Sequence, residues 1–308
     1  MSDDISRLVL EQLKEDRKKE RRASIFKYSV IGLLGAAYLG IAAVSLRSGE
    51  QPPDEDYVAL VRLSGEIMPG KEASAQAFNP ILERAFADKG AKGVVIVVNS
   101  PGGTPVQSAL IHDRITALKA QHKKPVVAVA EDMMASGAYM IAVAADHIVV
   151  NRSSIVGSIG VVSRGFGFTG LMDKLGVERR VMTAGEAKNL MDPFGPQTER
   201  DKEKQGELLQ AIHQHFKEVV TQGRGERLNM QTDGLFSGTV WTGDTAVKQG
   251  LADRLGDVKT ASKDILGADK IYEYKPAKSL LENLAGQFGV SVAQELKPQV
   301  QGPVAMPY

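Results

Sequence analysis

Two successive apolar runs, each ending in small residues and followed by a helix-favouring stretch, constrain this chain more than any other feature. The first, residues 93–99 (GVVIVVN), runs straight into Ser100-Pro101-Gly102-Gly103. Thr104 then caps a stretch whose apolar residues Val106, Leu110, Ile111, Ile115 and Leu118 fall at helical spacing. The second run begins at Pro125 (PVVAVA), passes two acidic residues and two methionines, and reaches Ala135-Ser136-Gly137-Ala138. There it hands over to the Ala-rich run 139–145. Short β-branched runs bounded by turns read as buried strands of a parallel sheet. Strand–turn–helix written twice, with right-handed crossovers, places both turns at the same edge of one sheet. YVALVRLSGEI from Tyr57 adds an earlier strand, and 74–89 an intervening helix.

That edge is where chemistry is expected. Ser136 sits where a strand meets a helix, beside free N–H groups and the positive end of a helix dipole. Taken alone, it reads first as a helix N-cap. The Gly102-Gly103 turn reads alone as an ordinary loop, yet glycine also lets bare backbone approach a ligand. Paired in successive units, the N–H groups of Gly103 and Gly137 could polarise a carbonyl held against Ser136. The serine needs a base. His112, His122, His213 and His215 fall on helices among charged residues and read as solvated, and His147 opens a strand at the far end. No G-x-S-x-G elbow surrounds Ser136. A lysine in a water-poor pocket can serve instead. Lys188 is the candidate, with Ala187, Leu190, Met191 and Phe194 around it after the strand-like ERRVMT.

The N-terminus carries a second message. Residues 2–27 are charged and end in a basic cluster, whereas 28–46 (YSVIGLLGAAYLGIAAVSL) hold no charge. That length suits a bilayer core, and Gly32, Gly35 and Gly40 suit a membrane span better than a soluble helix. A cleaved signal peptide would have a shorter core and a basic region nearer residue 1. Basic residues precede the span and Glu50, Asp54, Glu55 and Asp56 follow it, so the remainder is expected outside the cytoplasm. The expected organisation is a cytoplasmic segment 1–27, an anchor 28–46, a linker 47–56, a folded domain 57–275, and a C-terminal segment 276–308. A net charge of +1 without a basic stripe argues against nucleic acid as a partner. The absence of cysteine excludes disulfides and thiolate chemistry.

NSPGG at 99–103, MASGAYMIAVAAD at 134–146, GSIGVV at 157–162, AGEAKNLMDPF at 184–194 and VWTGDTAVKQGLADRLG at 240–256 together resemble the signal peptide peptidase A family. The resemblance spans roughly residues 57 to 265, in the short, single-repeat form, with SohB-type proteases as near relatives. It implies an α/β ClpP/crotonase-like fold of repeated β–α units behind one transmembrane helix, and a serine endopeptidase with a Ser–Lys dyad and no cofactor or metal. It implies Ser136 as nucleophile, Lys188 as general base, Gly103 and Gly137 as oxyanion hole, and Ser158 as the residue orienting the lysine. It further implies a homo-oligomer with sites shared between neighbours, in the bacterial inner membrane, acting on cleaved signal peptides or other apolar peptides. Two departures stand out: Gly137-Ala138 where the family often has Gly-Gly, and Lys188-Asn189 where it commonly has Lys-Asp.

Other readings compete. A crotonase-type acyl-CoA enzyme would share the fold and the paired N–H groups, and a membrane-tethered scaffold would need no serine. Gly165, Gly167 and Gly170 fit G-x-G-x-x-G after IGVV, but lie too late in the domain to open a dinucleotide fold; a substrate-facing loop fits better. Downstream, 198–221 reads as a helix packing Leu208, Ile212, Phe216 and Val219 on the sheet. Residues 241–256 read as helical, 279–296 as mildly amphipathic, and 298–308 as a Pro-containing tail.

Overall fold

A computed structural model describes residues 17–18, 21–22, 25–36, 40, 52–53 and 55–276. The chain divides into two compact units, Pro52–Ala277 and one formed from 1–51 with 278–308. In the second of these, residues 25–36 are helical and exposed. Among the described residues no helix is long and apolar enough to cross a membrane. Residues 37–39 and 41–46 of the expected span lie outside them, as do the expected C-terminal amphipathic segment and tail.

In the unit Pro52–Ala277 the chain runs β1 (Tyr57–Ser64), α1 (Ala75–Ala87), β2 (Ala91–Ser100), α2 (Pro105–His122), β3 (Val126–Ala135), α3 (Gly137–Ala142), β4 (His147–Val150) and β5 (Ile155–Gly157). It continues through α4 (Thr169–Leu175), α5 (Glu199–Arg224), β6 (Val240–Thr242), α6 (Gly243–Lys248), β7 (Arg254–Leu255) and β8 (Lys270–Glu273). The strands form one α/β sheet in the order β6-β5-β3-β2-β1-β8, with β4 on β3 and β7 on β4. Every pairing is parallel except β5 with β6. One edge of β3 takes two neighbours in turn: β4 along Val127–Ala130, then β5 along Met133–Ala135.

The central strands are apolar on both faces because both are covered. Ala59, Val61 and Leu63 of β1, with Val94, Ile96 and Val98 of β2, enter the larger core beneath α1, α2 and α3. The intervening Val58, Leu60, Val95 and Val97 enter a smaller one with Ala261 and Leu266 from the turn at Thr260–Ile265. Ser74 caps α1 by accepting the Ala77 N–H at 3.3 Å. Thr198 and Asp201 form a reciprocal capping box that starts α5.

Several expected details differ. In α2 it is Ser108, Ile111, Ile115 and Leu118 that are buried, whereas Val106 and Leu110 face out. Only the C-terminal half of α5 packs on the core, through Phe216, Val219 and Val220, whereas Leu208 is exposed. The stretch 241–256 is a strand, a short helix and another strand rather than one helix. Neither ERRVMT nor IGVV is a strand, and Gly165, Gly167 and Gly170 lead from irregular chain into α4. The strand–turn–helix geometry of a dinucleotide fold is therefore missing there.

The C-terminal end of α5 is fastened by a buried charge. Arg224 is fully buried and donates to both oxygens of Asp253, at 2.8 and 3.0 Å, and to the Gly250 carbonyl at 2.8 Å. Asp253 also accepts the Ile148 N–H at 2.6 Å, tying α5 to β4. Burial alone would raise the Asp253 carboxyl, but its bonds to Arg224 and Ile148 and the charge of Arg227 hold it below the ordinary carboxylate range. Removing one partner leaves the other charge buried, so Arg224→Ala is expected to cost about 3–5 kcal/mol, read as a lower urea midpoint. A lowered carboxyl stabilises the fold above about pH 4 and loses that contribution as pH falls through the lowered value. The deficit of Arg224→Ala should therefore shrink in that acid window.

Candidate active site

Ser136 joins β3 to α3 with φ +53° and ψ −125°, a conformation that L-residues rarely adopt. Such backbone costs about 1–3 kcal/mol and persists where surrounding structure enforces it. Here the enforcement is visible. The Ser136 N–H donates to the Gly157 carbonyl at 2.7 Å, and its own carbonyl accepts the Met140 N–H at 3.0 Å. Its side chain makes no capping bond, so the hydroxyl of this half-buried residue is not spent on the helix.

The turn after β2 lies against this junction. Gly102 has φ +97°, and a Cβ there would stand 2.7 Å from both the Gly137 nitrogen and the Ser136 Cβ. Its N–H donates to the fully buried Ser100 hydroxyl at 3.1 Å. The Ile67 N–H donates to the Gly102 carbonyl, and the Thr104 N–H to the Ile67 carbonyl, both at 2.9 Å. Gly103 is thereby pinned with no room for a side chain, since a Cβ would fall 2.0 Å from the Ile67 oxygen. Neither the Gly103 nor the Gly137 N–H has an acceptor among the described residues. The Gly103 nitrogen lies 3.3 Å from the position of a Cβ on Gly137, so both donors line one small wall beside Ser136.

Ser158 follows at the end of β5, also at φ +53° and half-buried, with its N–H on the Thr239 carbonyl at 2.8 Å. The structure thus gathers Ser136, Gly103 and Gly137, and sets Ser158 one residue past the Gly157 carbonyl that holds Ser136. Lys188 is not bonded to this group. It is exposed, its N–H closes a turn on Gly185 at 3.2 Å, and no hydrogen bond joins it to Ser136 or Ser158. Met191 is 64% exposed, so the expected apolar pocket around the lysine does not form within one chain. The histidines also need revision: His112, His122 and His213 are half-buried. His213 donates from Nε2 to the Ile159 carbonyl at 3.2 Å, steadying the segment that carries Ser158.

Ser100 and Ser108 are residues that sequence reasoning missed. Ser100 shapes the turn, and the hydroxyl of buried Ser108 lies 2.2 Å from the position of a Cβ on Gly137. The serine in Ser-Pro-Gly-Gly hinted at the first; nothing local marked the second. Gly137→Ala should therefore push α3 off α2 and, if the Gly137 N–H is the oxyanion donor expected from the sequence, cut turnover of a peptide by about 100-fold. Adding Ser108→Ala leaves a Ser108 Cβ contact of 3.2 Å and should recover part of that loss, measured as kcat on a fluorogenic peptide.

The model of Peptidase family S49 matches residues 118–270. A Methanocaldococcus jannaschii protein assigned as a protease is 32% identical over 277 residues, 85% of this chain and 86% of that protein. An Enterococcus faecium protein assigned as the signal peptide peptidase SppA is 33% identical over 184 residues, covering 59% of this chain and 52% of that one. A Brucella abortus protein named as the Na(+)/H(+) antiporter NhaA is 47% identical over 233 residues, 74% of this chain. The present chain spans only 32% of that protein's length. The chain belongs to peptidase family S49.

Proposed function

We infer that this protein is a membrane-anchored endopeptidase in which Ser136 and Lys188 form a catalytic dyad across a subunit boundary. The observation that carries the reading is the strained, uncapped Ser136 beside two unpaired N–H groups, at Gly103 and Gly137. In the assembled site the neutral Lys188 amine takes the Ser136 proton as Oγ attacks a peptide carbonyl. The carbonyl oxygen gains charge facing the Gly103 and Gly137 N–H groups, which are already in place. The lysine then protonates the departing amine, and water, activated by the same lysine, hydrolyses the acyl-enzyme. Ser158 orients the amine.

The exposure of Lys188 supports a site completed by a neighbouring copy. In the segment that carries it, Val162, Phe166, Leu171, Leu175, Met182 and Met191 are exposed, and exposed apolar side chains in such numbers are of the kind that mark an interface. Residues 28–46 provide the anchor, with the N-terminus in the cytoplasm and residues 57–275 outside it, in the bacterial inner membrane. Exposed Tyr28, Ile31, Leu33 and Leu34 on the described part of that helix suit a lipid surrounding. The substrates are cleaved signal peptides or other apolar, extended segments near the membrane, in keeping with the relative assigned as a signal peptide peptidase.

Two inactive variants test the dyad and its division between chains. Ser136→Ala should abolish labelling by a serine-reactive fluorophosphonate, and Lys188→Ala should lower kcat by several orders of magnitude without unfolding the protein. When the two are coexpressed, each site draws its serine and its lysine from different chains. Random mixing in a closed ring with directional contacts then restores about a quarter of wild-type activity. Mixed assemblies carrying both tags but lacking activity would place the dyad within one chain.

A further inference from the structure

The loop that carries Lys188 stands in an unusually open part of the molecule, where every residue from 173 to 189 is exposed. No core holds it, yet a general base must be held to a fraction of an ångström. One side chain near it is buried. The Asp192 carboxylate is only 5% exposed. Its Oδ1 accepts the Arg179 guanidinium at 3.0 Å and the Phe194 N–H at 3.1 Å. Its Oδ2 accepts the Asn189 Nδ2 at 3.0 Å. Gly195 leaves room for this: a Cβ there would press to 3.1 Å from Oδ2.

The partners of Asp192 are fixed in turn. Arg179 lies over the Phe194 ring at 5.3 Å, and Phe194 stacks on Phe168 at 5.3 Å. The Phe168 N–H donates to the Pro193 carbonyl at 2.7 Å. On the other flank, Glu186 pairs with Arg200 of α5, and Gln205 donates to the Leu190 carbonyl at 2.8 Å. Lys188 therefore sits between two tethers to α5, with its neighbour Asn189 tied directly to the buried carboxylate. Bidentate use of both Asp192 oxygens, with three donors converging on them, makes it the hub of the loop.

We propose that Asp192, with Arg179, is the positioning residue of the catalytic base: it sets the backbone at Asn189 and thereby the point from which Lys188 reaches the serine. The proposal rests on the Ser–Lys reading above. Asp192 touches neither substrate nor the reacting atoms, and its effect passes entirely through Lys188.

A double-mutant cycle on the full-length protein tests it, with kcat and KM on a fluorogenic apolar peptide, the fluorophosphonate labelling rate at Ser136, and thermal unfolding. Asp192→Ala is expected to lower kcat and the labelling rate by 10- to 100-fold, with KM within twofold and the unfolding midpoint unchanged. Asp192→Asn, which keeps the shape but not the charge facing Arg179, should fall between the two and serves if the alanine variant does not fold. In a Lys188→Ala background the same substitutions should change the residual rate by less than twofold, because no base remains to be positioned. Equal losses in both backgrounds, or unchanged kcat in the single variants while Lys188→Ala is inactive, would overturn the positioning role and leave the dyad intact. Full activity in Lys188→Ala would instead remove the dyad, and the present proposal with it.

Discussion

At Gly102 a single methyl group would collide with the Gly137 nitrogen, the Ser136 Cβ and the Ala135 carbonyl, all within 2.8 Å. That missing methyl lets the backbone of one β–α turn lie directly on the backbone of the next. Two parallel strands alone do not bring their turns so close; neighbouring strands are ~4.8 Å apart, and side chains normally fill the space above them. With glycine at 102, 103 and 137, the approach becomes backbone on backbone, and unpaired N–H groups can share one wall. Ser108 beneath Gly137 and Ile67 beside Gly103 then fix the spacing from below and from the side. The strained conformation of Ser136 follows from the same crowding, since its N–H must reach the Gly157 carbonyl while its carbonyl starts a helix.

Placement of Gly157 depends on the way β3 changes partner. β4 ends at Val150, and β5 begins at Ile155 further along the same edge. The intervening turn is held by the fully buried Ser154, which accepts the Asn151 N–H at 3.1 Å and donates to the Glu131 carbonyl at 2.5 Å. This offset brings Gly157 beside Ala135, and the antiparallel β6 then covers the outer edge of β5. The Trp241 side chain packs so closely on Gly157 that a Cβ there would stand 2.9 Å from its Cδ1. Ser136 is thus braced through backbone bonds by a strand that the sheet itself positions, not by a flexible loop.

The strands at 93–99 and from Pro125 were legible because both faces of a parallel sheet are buried, which writes continuous β-branched runs. Ser136 and the two glycine turns were legible for a related reason, since small residues recurring at successive strand ends mark a place where backbone meets backbone. Burial of whole helical faces was less so. Val106 and Leu110 fit the expected face of α2 but are exposed, because Ser108 takes the position nearest α3, where only a small side chain fits. The 241–256 stretch failed through its glycines. Gly243 has the Asn151 carbonyl 1.9 Å from where a Cβ would be, and Gly250 has the Arg227 carbonyl at 1.7 Å. Both are close backbone approaches, one where α6 starts and one two residues past its end, and no local pattern announces them. Arg224 was invisible for the opposite reason: a lysine- and glutamate-rich helix gives no sign that one of its cations is fully buried against Asp253.

The contrast between the proposed nucleophile and its proposed base is a contrast in how geometry is obtained. Ser136 inherits its position from a sheet and helix that bury its chain neighbours Met134, Ala135, Gly137 and Ala138, so these cannot relax without disturbing the core. Lys188 belongs to a segment with no buried apolar side chain from 160 to 215. Such a segment loses conformational entropy on ordering without hydrophobic burial to offset it. Two sources of order are open to it: polar bonds within itself, as at Asp192, and cover for its exposed apolar side chains. Internal bonds fix the shape of the loop but not its placement relative to a serine on a different element. Cover by a second copy would supply that placement and bury Phe166, Leu171 and Met182 in the same event. On the proposed reading, such an enzyme would become competent only on assembly, because the parts that the sheet cannot position would be left for an interface to position.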